Sequence, residues 1–131
     1  MFLDASAMVA ILIEENDAAA LTKRVEQATE AVTSPIATYE ATLGIARVCN
    51  IPIPAAQSIL EGFLAQASIR ITPITAEIGR GALSAFERYG RGRHPAALNM
   101  GDCFAYACAQ ALDLPLLYKG NDFPQTDIAA A

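Results

Sequence analysis

Asp4, Glu40, Asp102 and Asp122 are the residues best placed to do chemistry. They lie in Met-Phe-Leu-Asp-Ala-Ser, Thr-Tyr-Glu-Ala, Asn-Met-Gly-Asp-Cys and Lys-Gly-Asn-Asp-Phe. Each acid adjoins an apolar run, at a point where a strand ends or a helix begins. Their neighbours are apolar or small, so folding draws them inward. Half-buried carboxylates repel one another unless something positive joins them. Oxygen donors without a His or Cys partner suit a hard divalent cation, Mg²⁺ or Mn²⁺. Phosphate oxygens commonly complete the shell of such a cation. The cation polarises a phosphodiester, lowers the pKa of a bound water and steadies the leaving oxygen. Metal-assisted phosphodiester hydrolysis is the reaction class these residues suit.

Other chemistries lack parts. His94 is the sole histidine, which excludes a two-histidine ribonuclease mechanism within one chain. There is no Gly-x-Ser-x-Gly elbow and no Walker A loop. An aspartyl-nucleophile phosphatase usually carries a second Asp two residues after the first, where this chain has Ser6. Cys49, Cys103 and Cys108 are odd in number and form no Cys-x-x-Cys pair. They read as small apolar residues rather than as a zinc site or a disulfide framework.

The elements that must position the acids follow from the apolar pattern. Met1–Leu3, Ala31–Thr33, Ile69–Ile74 and Leu114–Tyr118 read as short strands, with a last one expected near Ile128. Helices are expected from Ala5, from Asp17 to Gln27, from Ser34-Pro35 to near Asn50, from Pro54, over Ala76–Tyr89 and over Asp102–Leu112. Gly90–Gly101 reads as a loop, and Lys119–Asp122 as a turn. Apolar strands alternating with helices predict an α/β fold, a parallel sheet covered on both faces. Ligands of such sheets gather at the carboxyl ends of the strands. Asp4 and Asp122 are expected just after strands, and Glu40 and Asp102 near helix starts at the same edge.

Size and charge set the remaining bounds. The 131 residues suit one domain over 1–131, and 53 % hydrophobic residues are too many for a disordered chain. Ala7–Ile13 is too short to span a membrane, and the N-terminus lacks a basic leader, so a cytoplasmic protein is expected. The net charge of −5 argues weakly against a nucleic-acid partner, because the four acids account for all but one unit of it. The cluster Arg88, Arg91, Arg93 and His94 stands before Asp102, and Lys119 stands before Asp122. Arg91, Arg93, His94 and Lys119 are therefore candidates for gripping substrate phosphates.

Taken in order, Asp4 with Ser6, Thr38-Tyr39-Glu40, Leu98-Asn99-Met100-Gly101-Asp102 and Lys119-Gly120-Asn121-Asp122-Phe123 resemble a PIN domain. The chain is similar throughout to VapC-type toxin ribonucleases of bacterial toxin–antitoxin pairs. The resemblance implies a three-layer α/β/α domain with a short parallel sheet of four or five strands. It implies a Mg²⁺- or Mn²⁺-dependent endoribonuclease, usually a homodimer, that acts on RNA and is inhibited by a small VapB-like antitoxin. Asp4, Glu40 and Asp102 match the family's core metal ligands, and Asp122 matches its fourth acid. Ser6 matches a hydroxyl that orients a ligand or water, which completes the catalytic set. Asn121 stands where many members carry a further acid. Rival expectations are a PIN nuclease of RNA processing and a non-catalytic partner-binding module.

Overall fold

Four helix starts in this chain are set by side chains that satisfy free main-chain N–H groups. A computed structural model describes all 131 residues. β1 (Phe2–Leu3) leads into α1 (Ala5–Leu12), which Asp4 caps by accepting from the Ser6 N–H. α2 (Ala18–Gln27) follows, then β2 (Val32–Thr33). α3 (Pro35–Cys49) is capped by Ser34, carries proline in its first turn and stops at Asn50, which takes φ 51°. α4 (Ile53–Gln66), β3 (Arg70–Ile71) and α5 (Ala76–Tyr89) come next, with Thr75 capping α5. α6 (Met100–Ala111), β4 (Leu116–Leu117) and a 3-10 turn over Phe123–Gln125 complete the chain.

The strands form one parallel sheet in the order β3-β2-β1-β4. Ala130 makes a parallel bridge to Leu116 beyond β4, through Leu116 N–H to Ala129 O at 2.8 Å and Ala131 N–H to Leu116 O at 2.9 Å. The expected fifth strand near Ile128 is thus a single bridge at Ala130. Alternating side chains divide the core between the faces. Phe2, Val32 and Leu116 pack with α5 and α6, while Leu3 and Leu117 pack with α1 to α4. The expected three α/β/α layers result.

Several boundaries differ from the sequence reading. Strands expected over Ile69–Ile74 and Leu114–Tyr118 pair over two residues each. Their flanks, such as Ile74 and Tyr118, pack on the core without joining the ladder. α4 begins at Ile53, with Pro54 in its second position. α6 begins at Met100, inside the expected loop, because Asn99 caps it. Asp17 stands at the start of α2 but makes no capping bond. Its carboxylate is drawn to Lys119 instead.

Leu116 is fully buried and joins β1 to the tail bridge. Leu116→Ala is expected to cost about 2–5 kcal/mol of stability, read from urea unfolding.

Candidate active site

The carboxyl edge of the sheet holds Asp4, the first residue past β1. Its N–H donates to Leu117 O at 3.0 Å, and the residue is only 5 % exposed. Its Oδ2 accepts from the Ser6 N–H at 2.9 Å and from Ser6 Oγ. Ser6 Oγ accepts in turn from the Lys119 N–H at 3.0 Å. The expected neighbour of Asp4 is therefore in place.

Asp102 lies in the first turn of α6 and is held by a reciprocal pair of bonds. The Asn99 N–H donates to Asp102 Oδ2 at 3.0 Å, and the Asp102 N–H donates to Asn99 Oδ1 at 2.9 Å. Asp102 is thus not the helix cap itself. Asn99-x-x-Asp102 is a readable capping signal that the loop expectation passed over.

Glu40 projects from the second turn of α3 onto the start of α6. A Cβ built on Gly101 would stand 2.0 Å from Glu40 Oε1 and 2.3 Å from Oε2. Only a residue without a side chain lets this carboxylate settle there, a role the sequence reading did not assign to Gly101. The positive end of the α6 dipole also favours negative charge at this point.

Burial and mutual repulsion act together on these acids. Burial pushes the Asp4 carboxyl up against the opposing effect of the Ser6 bonds, and the charge of Asp122 adds to the rise. Burial, then Asp4 and Asp102, raise Glu40 to about 7. Burial raises Asp102 to about 6; Asn99 opposes this, Asp4 and Asp122 add to it, and Arg91 opposes it. None of the four acids forms a salt bridge.

The fit to a divalent cation rests on this donor set: crowded carboxylate oxygens without a basic partner. No three of these side chains stand close enough here to hold one ion together. Mg²⁺ commonly takes only one or two carboxylates and keeps several waters.

Asp122 stands further out. It is exposed, lies past the turn after β4 rather than directly after the strand, and leads into the 3-10 turn without a capping bond. The basic candidates separate. Arg91 is exposed and its charge reaches Asp102. Arg93 pairs with Glu87 at 3.1 Å and lies over the Phe86 ring. His94 accepts the Ala96 N–H on Nδ1 at 3.1 Å and meets Tyr89 edge-on at 5.1 Å. Arg88 belongs to the last turn of α5 and bonds Asp127 at 2.9 Å, while Tyr106 donates to Asp127 at 2.6 Å. Lys119 Nζ meets Glu15 and Asp17. Of the basic candidates, Arg91 alone is both free of an ion pair and electrostatically linked to the acids.

Known proteins resemble this chain along its length. The PIN domain model matches residues 1–129. A VapC ribonuclease of Rhizobium meliloti is 40 % identical, with 97 % of this chain and 98 % of the relative covered. A VapC ribonuclease of Mycolicibacterium smegmatis is 38 % identical, with 99 % and 98 % covered. The crystal structure of Mycobacterium tuberculosis VapC20, a sarcin–ricin-loop-cleaving toxin, superposes with a TM-score of 0.79. It covers 99 % of this chain and 97 % of its own at 14 % identity, a likeness of fold alone.

Two outcomes test this geometry. Gly101→Ala displaces the far end of a flexible side chain, and alanine favours the helix by about 1 kcal/mol. Its melting temperature should hold, while Mn²⁺ affinity in calorimetry should fall about 10-fold. The second concerns pH. Glu40 binds its proton more tightly folded than unfolded, so its contribution to stability is fully present below pH 4.5 and is lost as pH rises through about 7. In EDTA, the melting temperature of Glu40→Gln relative to wild type should climb across that window. A constant difference would refute the assigned environment.

Proposed function

The chain belongs to the PIN-domain family and to the VapC ribonucleases within it, and from that premise we propose that Asp4, Glu40, Asp102 and Asp122 hold Mg²⁺ or Mn²⁺ against an RNA phosphodiester. The chain is an endoribonuclease. Dependence on a divalent metal is general in this family. The observation that carries the site assignment is the clustering of Asp4, Glu40 and Asp102, each raised by burial and by the others' or Asp122's charge.

A bound cation would supply Lewis acidity toward a phosphate oxygen and toward water. The protein's own part is positioning and charge. Ser6 orients the Asp4 carboxyl group, and the Asn99 N–H does the same for Asp102. Burial and the neighbouring acids raise Glu40 to about 7, so a bound cation would displace its proton at little cost near neutral pH. Arg91 stands at the rim, where its guanidinium can take a phosphate of the strand. Hydrolysis adds water across the P–O3′ bond and leaves a 3′-hydroxyl and a 5′-phosphate.

An open rim also suits a polymer better than a small molecule, since none of the four acids lines an enclosed pocket. Arg93, His94 and Lys119 are engaged by Glu87, Ala96 and the Glu15–Asp17 pair, so they rank behind Arg91 as phosphate contacts.

The proposal includes a VapB-like antitoxin and a homodimer. Leu83, Phe86 and Met100 are exposed beside an apolar groove of about 200 Å³ between α5 and α6, a surface of the kind that protein partners cover. No helix is long and apolar enough to cross a membrane. The proposed setting is the cytoplasm, with residues 1–131 acting as one domain.

Cleavage of an RNA should require added Mg²⁺ or Mn²⁺ and stop with EDTA. Asp4→Asn and Asp102→Asn should each lower it to the EDTA level while leaving the circular dichroism spectrum intact. Full activity in both variants would refute the assignment.

A further inference from the structure

Lys119 reaches in two directions from the end of β4. Its main-chain N–H donates to Ser6 Oγ at 3.0 Å, and Ser6 Oγ donates to Asp4 Oδ2. A serine hydroxyl has one proton, so accepting from Lys119 commits that proton to Asp4. The side chain runs the other way. Its Nζ meets Glu15 Oε2 and, at 3.1 Å, Asp17 Oδ1, both between α1 and α2. Gly120, with φ 113°, Asn121 and Asp122 follow, all exposed. One residue therefore joins the first turn of α1, the α1–α2 connection and the root of the loop that bears Asp122.

The geometry points to Lys119 as a positioning residue: its ion pair with Glu15 and Asp17 holds the peptide that orients Ser6, and through Ser6 the Asp4 carboxylate, and it fixes the root of the Asp122 loop. The inference rests on the reading of the acids as cation ligands. It also reassigns the Lys119 charge from an incoming phosphate to two carboxylates of its own chain. The ion pair is partly exposed and contributes little stability, which separates positioning from folding.

The sign of the effect is diagnostic. Removing a positive charge would, by Coulomb attraction alone, leave cation binding unchanged or tighten it. Loss of positioning weakens it.

The test is calorimetric titration of Mn²⁺ into the full chain, with thermal melts beside it. Lys119→Met and Lys119→Gln should melt near the wild type and bind Mn²⁺ about 10-fold more weakly. Lys119→Arg, which can keep the pair, should restore most of the affinity. Asp122→Asn should weaken binding less in the Lys119→Met background than in the wild type, because the two act through one loop. Equal or tighter Mn²⁺ binding by Lys119→Met and Lys119→Gln would overturn the inference alone. No Mn²⁺ binding by the wild type would overturn the reading of the acids, and this inference with it.

Discussion

Like charges crowded at one edge of a sheet set the terms for everything around them. Asp4, Glu40 and Asp102 each lose hydration on folding and each feels another acid. Desolvation and repulsion act in the same direction, toward protonation. The surrounding structure opposes this with donors rather than with cations: Ser6 for Asp4 and the Asn99 N–H for Asp102. Nearby positive side chains are occupied elsewhere or stay at the rim. A site built this way keeps its attraction for a mobile cation, because no fixed cation has spent it.

The helices do more of this work than the sheet. Four two-residue strands give the edge its order and direction. The side chains that matter are aimed by helix starts: α1 by Asp4 itself, α6 by Asn99 and Asp102, α3 by Ser34. At Asp4 the residue that caps α1 is also the proposed cation ligand. The backbone geometry that starts α1 therefore also orients the acid.

Much of this was legible in the chain. The four acids stood out because their flanks were apolar, and the start of α3 was marked by Ser34-Pro35. Strand lengths were not legible, because an apolar run reports burial and not pairing. Ile74, Leu114 and Tyr118 are partly buried on the core without extending a strand. The first turn of α6 was hidden by the Gly- and Pro-rich stretch before it, although Asn99 and Asp102 carry the capping pattern. The pairing of Lys119 was not legible for a different reason. Its partners Glu15 and Asp17 lie 104 and 102 residues away, a distance over which no local pattern carries information. The small size of Gly101 has meaning only once Glu40 is seen against it.

The pairing of β1 with β4 has a consequence in time. Asp4 and Ser6 are held by residues more than a hundred positions later in the chain, the Asp4 N–H by Leu117 and the Ser6 hydroxyl by the Lys119 N–H. Local structure alone therefore does not fix the first acid. Its placement waits on the pairing of β1 with β4, a contact of long sequence separation of the kind that closes more slowly than local ones.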